Sequence, residues 1–452
     1  MTVPSISNLS KLRAHLAALV GHRFFGSGLI SLLIKVAGAG LSYIMFVAFA
    51  HMLSPDQYGV FAFSFNLAIV IAAFIGFGYS TAILRYWPKF LAQGKPERAK
   101  GAVFMGSWLT LLGVICALLI GFGLDYFGGH YAMRNYLSVA TLAATFCIGD
   151  FASGVLRAQN SVIGAMLPRD VIWRILAPLA ALALIWLGFI LNSTTAVYIC
   201  ALVLLALLIV QIILIKKGME HSTGPVPAQL DWMSTRGSLL PLWGAGIVFA
   251  MIQQMDVVVV GTLLNGAETG AYFAAQKTAT LLSLVLIAGG LVTAPTMAAL
   301  YEKKSLRELQ NLCRQLVIAI AVATFLAFVF LGLTGSILLS FFNHSFTSAY
   351  PVLMILALSC MIDAISGPTA YLMQMTSYEK AYLKIMVVCY VLVIVLQIIL
   401  IPRFGGLGAA LASASGTIIW NLWSIWLLRA KAGLDPSILG LIWPPKTMSQ
   451  TP

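Results

Sequence analysis

The chain has 452 residues, of which 60% are hydrophobic and only 9% charged. A soluble globule carries about 25% charged residues, so this composition excludes one and predicts an all-α integral membrane protein. The formal net charge is +13, yet the basic residues fall between apolar runs and form no stripe with interleaved aromatics, which argues against nucleic acid as a partner.

Residues 1–27 are polar and basic (Lys11, Arg13, Arg23), with apolar residues spaced for a cytoplasmic interfacial helix. The first apolar run is too long for a signal-peptide core. It predicts a first span over 28–52 that contains Lys35, and a short Ser54–Gly59 turn then leads to a second span over 59–83. A basic loop follows, with Arg85 beside Tyr86 and Trp87 at its start. Spans three to six are predicted over 101–123, 135–156, 171–191 and 196–215. Asp150 lies in the fourth and Arg174 near the start of the fifth, where the two are placed to pair. Residues 216–237, with two prolines and three glycines, read as a cytoplasmic linker between lobes at 28–215 and 238–429.

The second lobe opens with a hairpin of two spans joined by a polar turn, 265–270, and holds Asp256 on one arm and Lys277 on the other. Both lie about seven residues from the turn, roughly 10 Å deep at 1.5 Å per residue. Opposite charges at matched depth predict an ion pair, either one that locks the hairpin or one that lines a polar cavity. Gln253 and Gln254 precede Asp256 and offer amides to a sugar, a phosphate or a neighbouring helix. A basic amphipathic loop over 296–314 leads to spans nine to twelve at 315–335, 350–373, 384–402 and 406–428, with Asp363 in the tenth. Residues 430–452 are a short cytoplasmic tail. The result is about 12 transmembrane helices in two six-helix lobes.

Lysine and arginine orient the chain. Of the 27, only Arg134 and Arg403 fall in odd-to-even turns, and Lys35, Arg174 and Lys277 lie within spans. The other 22 lie in the termini and the even-to-odd loops, which the positive-inside rule makes cytoplasmic. Six cysteines lie in or beside apolar runs without metal spacing, so neither a metal nor another cofactor is expected.

A shift of 211 residues lays HMLSPDQYGVFAF (51–63) over TLLNGAETGAYFA (262–274), with Gly59 on Gly270, Gly246 opposite Lys35 and Asn66 opposite Lys277. Six spans per lobe put the pseudo-twofold axis along the membrane normal. These stretches, with LSPDQYGVFAFSFNLAIVIAAFIGFGYSTAILRYWPKF and the late IPRFGGLGAALASASGT, resemble the polysaccharide-biosynthesis flippase family. That family carries lipid-linked oligosaccharides of O-antigen type and lies within the multidrug/oligosaccharidyl-lipid/polysaccharide exporter superfamily. The resemblance implies two lobes in a V around a cavity lined mainly by spans one, two, seven and eight, which alternates between membrane faces in a bacterial inner membrane. It also implies cationic residues that hold the diphosphate.

Lys35 and Lys277 are the cations on the matching helices, and Gln253, Asp256, Asn66 and Arg85 complete the substrate-binding candidates. Lys35 has a second reading, as a lysine snorkelling to the interface. Asp256 and Asp363 are candidates for ion coupling. The expected partners are the lipid-linked oligosaccharide, membrane lipids, and the polymerase and glycosyltransferases of polysaccharide assembly. A cation-coupled multidrug or organic-cation antiporter is the alternative. An enzyme is disfavoured, because the odd-to-even loops are too short to hold catalytic groups, and with no nucleotide-binding glycine loop direct ATP drive is not expected.

Overall fold

The computed structural model describes residues 22–127 and 135–442. The expected interfacial segment up to residue 21, the loop 128–134 with His130 and Arg134, and the tail from 443 onward lie outside the described residues. Eleven helices among the described residues are long and apolar enough to cross a membrane. The expected fifth span is a composite: Val162–Leu167, a π turn over Pro168–Ile172, then Trp173–Trp186. Pro168 opens the π turn, and Pro178 sits inside the last piece.

Spans one to four are His22–Met52, Pro55–Ile75 (continued by Tyr79–Ala92), Pro96–Phe127 and Tyr136–Ala158, and span six is Ser193–Thr223. Spans seven to twelve are Trp232–Leu263, Gly266–Glu302, Leu306–Ser340, Tyr350–Ile365 (continued by Thr369–Met375), Glu379–Phe404 and Gly406–Lys431. The expected linker is shorter than its composition suggested. Gly218 is carried inside the helix and the first positive φ there is that of Gly224, at 64°, so span six runs on to Thr223 and only residues 224–231 connect the lobes. The expected 296–314 loop is likewise mostly helix, broken only at 303–305.

The linker leans on the start of span three. Gln229 N–H donates to the Glu97 carbonyl at 2.9 Å, and Arg98 pairs with Asp231 at 3.0 Å.

At the end where the odd-to-even turns gather, here the turn end, both lobes share one core. Phe46, Tyr58 and Phe61 of the first lobe pack with Phe273 and Phe346 of the second. The Phe46 and Phe273 rings meet edge to face at 4.8 Å, a geometry contributing about 0.5–1.5 kcal/mol beyond contact area. At the opposite, basic end the core divides. Tyr79, Trp87 and Phe151 form one cluster, and Met297, Leu309 and Met373 another. In lipid the cohesion comes from close packing rather than from escape from water, so with the core divided the lobes meet there only through the start of span seven, whose Leu239 packs into the first cluster.

The repeat is visible as symmetric chemistry at the turn end. Ser54 caps the second span by accepting from Gln57 N–H, and Asn265 caps the eighth by accepting from Glu268 N–H. These pairs coincide under the 211-residue shift. A Cβ on Gly59 would lie 1.7 Å from the Gly266 carbonyl oxygen, and one on Gly270 would lie 3.2 Å from the Pro55 oxygen, the mate of that contact. Ala267 N–H donates to Asp56 Oδ1 at 3.0 Å between positions that are each other's equivalents. Only residues without side chains allow this crossing.

Two spans expected to be continuous are broken. Span two stops at Ile75 and restarts at Tyr79, with Phe77 and Gly78 at φ 47° and 66°. Span ten stops at Ile365 and restarts at Thr369, with Gly367 at φ 74°. Carbonyls freed inside a membrane need new donors. The Phe74 carbonyl accepts the Trp243 indole N–H at 2.8 Å, and the Ile365 carbonyl accepts Ile438 N–H at 2.9 Å.

The second donor comes from beyond the last span, so the tail is not free up to residue 442. Asp435 is buried and paired with Arg429, and its backbone exchanges hydrogen bonds with the Gln310 amide at 2.5 and 2.8 Å. Arg314 adds a bond to the Gly440 carbonyl at 3.1 Å.

Candidate functional site

A cavity of about 310 Å³ lies between span seven and the first lobe. Leu242, Gly246, Phe249 and Gln253 recur at helical spacing and turn one stripe of span seven toward it, joined by Gln254. Facing them are Ala72 and Gly76 of span two, Thr81 beyond its break, Asp150 of span four and Arg169 of span five. The break in span two shapes this wall, since Trp243 backbone packs directly against Gly78.

Asp150 pairs with Arg169, not with Arg174 as expected. The π turn holds one residue more than an α turn and presents Arg169 to span four. Arg174 pairs instead with Asp170 at 3.5 Å, one turn before it. Arg157 donates to the Ser153 carbonyl at 3.3 Å, and the charges of Asp150, Arg169 and Asp170 all bear on it. Arg174 also meets span one, where a Cβ on Gly38 would lie 2.7 Å from its Nη1. Its Nε is buried without a partner.

The expected Asp256–Lys277 ion pair does not form. Spans seven and eight touch each other far less than each touches span two, which wedges between them, so matched depth does not bring the side chains together. Asp256 is turned into the second lobe. It accepts from Gln397 Nε2 at 2.9 Å and from Ser413 Oγ at 2.8 Å, and does not line the cavity that Gln253 and Gln254 line. Lys277 Nζ lies 5.0 Å from the Phe273 ring centre and 5.6 Å from that of Phe46, held by cation–π attraction between spans one and eight. The Arg174 charge bears on it.

Lys35 is exposed, one helical turn before Gly38. Arg85 is exposed one turn beyond the cavity-lining Thr81. Asn66 is fully buried and donates to the Ala62 carbonyl at 2.7 Å, so its correspondence to Lys277 in the repeat does not place it at the cavity. Asp363 accepts from Asn421 Nδ2 at 2.9 Å. The spans expected at 135–156 and 171–191 make 157–170 a loop, which kept its Arg157, Arg169 and Asp170 out of the binding candidates. The apolar run Val162–Leu167 leading into Trp173 is the signal that the helix continues through them. No group of three metal-ligating side chains occurs among the described residues.

Residues 26–301 match the profile described as polysaccharide biosynthesis protein, which takes in the whole first lobe and the first hairpin of the second. The chain belongs to this family. An uncharacterized membrane protein of Methanocaldococcus jannaschii is similar to this family member, 24% identical over 417 residues, or 86% of this chain and 81% of its own length. Among solved structures, the fold is that of MOP superfamily transporters. An inward-facing multidrug resistance MATE family transporter superposes with a TM-score of 0.66 at 15% identity, covering 89% of this chain and 98% of its own. The lipid II flippase MurJ, in an inward closed conformation, gives 0.63 at 15% identity, with 89% and 87% covered. A MOP superfamily transporter from Pyrococcus furiosus Vc1, for which reverse polarity of the binding pocket suggests a different function, gives 0.57 at 15%, with 89% and 94% covered. At these identities the likeness shows the fold alone.

Proposed function

We propose that this protein is an alternating-access flippase, not an enzyme, that moves a polyprenyl-diphosphate-linked oligosaccharide from the cytoplasmic to the outer leaflet of a bacterial inner membrane. The observation that carries the reading is the charge between the lobes. Arg169 and Asp150 line the cavity, and near them, among the described residues, Arg157, Arg174 and Lys277 outnumber Asp170, an excess of cation in a low-dielectric setting where a diphosphate is the fitting counter-charge. An organic cation would meet net repulsion there.

Both termini are cytoplasmic in this reading, so the basic end faces the cytoplasm and the glycine crossing closes the outer side. The head group enters where the core divides. Exposed Lys35 and Arg85 meet it first, Gln253 and Gln254 offer amides to its sugars, and Arg169, Arg174 and Lys277 lie deeper. Rocking the lobes reverses access, provided the diphosphate favours neither state too strongly. Glycosyltransferases that build the glycan and a polymerase that consumes it are the implied partners. The lobes expected at 28–215 and 238–429 extend to the helix ends at Thr223 and Trp232, with residues 224–231 between them. Asp256 and Asp363 lie off the cavity, which supports a part in ion coupling over contact with cargo.

The test is complementation of a strain lacking its flippase, with protein abundance measured beside surface glycan. Lys35→Ala and Lys277→Ala are each expected to abolish export at near-normal abundance, and Lys→Arg to keep part of it. Wild-type glycan from the double alanine variant would overturn the diphosphate reading in favour of the antiporter.

A further inference from the structure

The 211-residue shift that relates the lobes does not stop at their last spans. It lays the tail over the linker, with Asp435 on Gly224 and Gly440 on Gln229. Both segments follow the sixth span of their lobe, and both return to the start of its third. In the first lobe Gln229 N–H reaches the Glu97 carbonyl, and Lys100 Nζ donates to the Val226 carbonyl at 2.9 Å. In the second, the Gln310 amide exchanges hydrogen bonds with the Asp435 backbone, and Arg314 donates to the Gly440 carbonyl. Gln310 and Arg314 are the equivalents of Ala99 and Val103, in the same stretch of span three.

The two seats differ in depth. The linker is tied by an Arg98–Asp231 pair whose side chains are 33% and 20% exposed. In the tail, Leu434, Asp435 and Ser437 are at most 2% exposed. Asp435 folds the tail on itself, its Oδ1 accepting from the Ser437 N–H and hydroxyl while its Oδ2 accepts from Arg429. The Pro436 carbonyl then projects into the break in span ten. A Cβ on Gly367 would lie 2.0 Å from that oxygen, and Ile438 N–H closes on the Ile365 carbonyl.

The part of span ten beyond the break leans on this seat. Thr369–Met375 has seven residues, too few to hold as a helix by itself. Its Tyr371 ring lies over Gly290 of span eight, where a Cβ would come within 2.1 Å of the ring. Leu372 and Met373 join Met297 of span eight, Leu309 of span nine, Leu428 of span twelve and Leu434 of the tail in one buried cluster.

We propose that residues 434–440 are a clamp that stays seated throughout transport. By filling the break in span ten they bind the basic ends of spans eight, nine, ten and twelve into one body, so that the second lobe turns as a unit. Only the turning rests on the transport reading; the clamp itself does not.

The experiment is hydrogen exchange read by mass spectrometry on the full chain in lipid nanodiscs, with export measured for the same variants. Gly367→Ala presses on the Pro436 carbonyl from span ten, and Asp435→Ala undoes the fold of the tail from the other side. Each is expected to raise exchange about tenfold or more at 434–440, 369–375 and 297–302 together, because one cooperative unit opens. Residues 97–103 and 224–231 are expected to keep their wild-type rates and so report an intact first lobe. A rise confined to 434–440, or no rise, would overturn the clamp.

A second variant, Ile365→Cys with Ile438→Cys, joins two residues whose backbones already bond and does not depend on the fold surviving a disruption. Oxidation is expected to slow exchange at 369–375 about threefold or more, since that helix opens only when the tail leaves, and to leave export as in the reduced protein. Unchanged exchange would overturn the clamp, and loss of export restored by a reductant would mean that the tail must leave its seat. Should the flippase reading fail, the wild type itself exports no glycan, and the exchange pattern still decides the clamp.

Discussion

The two lobes share a repeat but hold their carboxylates in opposite ways. In the first lobe Asp150 and Asp170 are each matched to an arginine. In the second, Asp256 and Asp363 are held by Gln397, Ser413 and Asn421, all of them neutral. A carboxylate paired with a guanidinium cannot be removed without stranding the arginine. One held by amides and a hydroxyl can gain or lose a proton without stranding a partner. The difference teaches that common ancestry of the lobes does not impose common electrostatics: one half offers fixed charge and the other offers charge that can change.

The harshest way to break this comparison is to exchange the hairpin charges. Asp256→Lys with Lys277→Asp is expected to lose most folded protein. It places a cation among donors and an anion beside two aromatic rings and within reach of Arg174, at a cost on the order of a few kcal/mol. Abundance and detergent stability near wild type would mean that the two residues do pair. A milder test compares neutralisations. Arg169→Ala strands Asp150, which is half exposed to the cavity and so partly relieved by water, and should cost roughly 1–2 kcal/mol. Asp256→Asn strands no charge and should stay within about 1 kcal/mol of wild type by thermal unfolding. Equal losses would erase the distinction between the lobes.

The smallest effect expected is that of Trp243→Phe, where span seven leans on the first lobe. The ring against Phe77 survives while the bond to the Phe74 carbonyl is lost, a cost of about 1 kcal/mol or less. Hydrogen exchange should rise at residues 75–79 and nowhere in the second lobe.

Hydropathy and charge made the membrane class, the span pattern and the repeat legible, because each is written in runs of similar residues. The glycine crossing was implicit in the shift that laid Gly59 on Gly270. What escaped was rotation. Depth along a helix follows from counting, but which face meets which neighbour depends on every other helix, and span two took the place between Asp256 and Lys277. Arg169 was hidden by the π turn, and Asn421 by the long separation of spans ten and twelve. The breaks at Gly78 and Gly367 were written as glycines among many others, distinguished only once their carbonyls had found Trp243 and Ile438.

The contacts of Asp435 have a consequence for how the protein is made. Spans nine, ten and twelve are joined through residues that the ribosome adds after the last span. Until those residues emerge, Gln310 lacks its backbone partner, Arg429 its counter-charge and Ile365 its donor. The first lobe has its linker contacts as soon as residue 231 is synthesised. Insertion therefore leaves a settled first lobe beside an unfinished second one, and a chain truncated just after Lys431 would contain every span yet present an unsatisfied, protease-sensitive half to quality control.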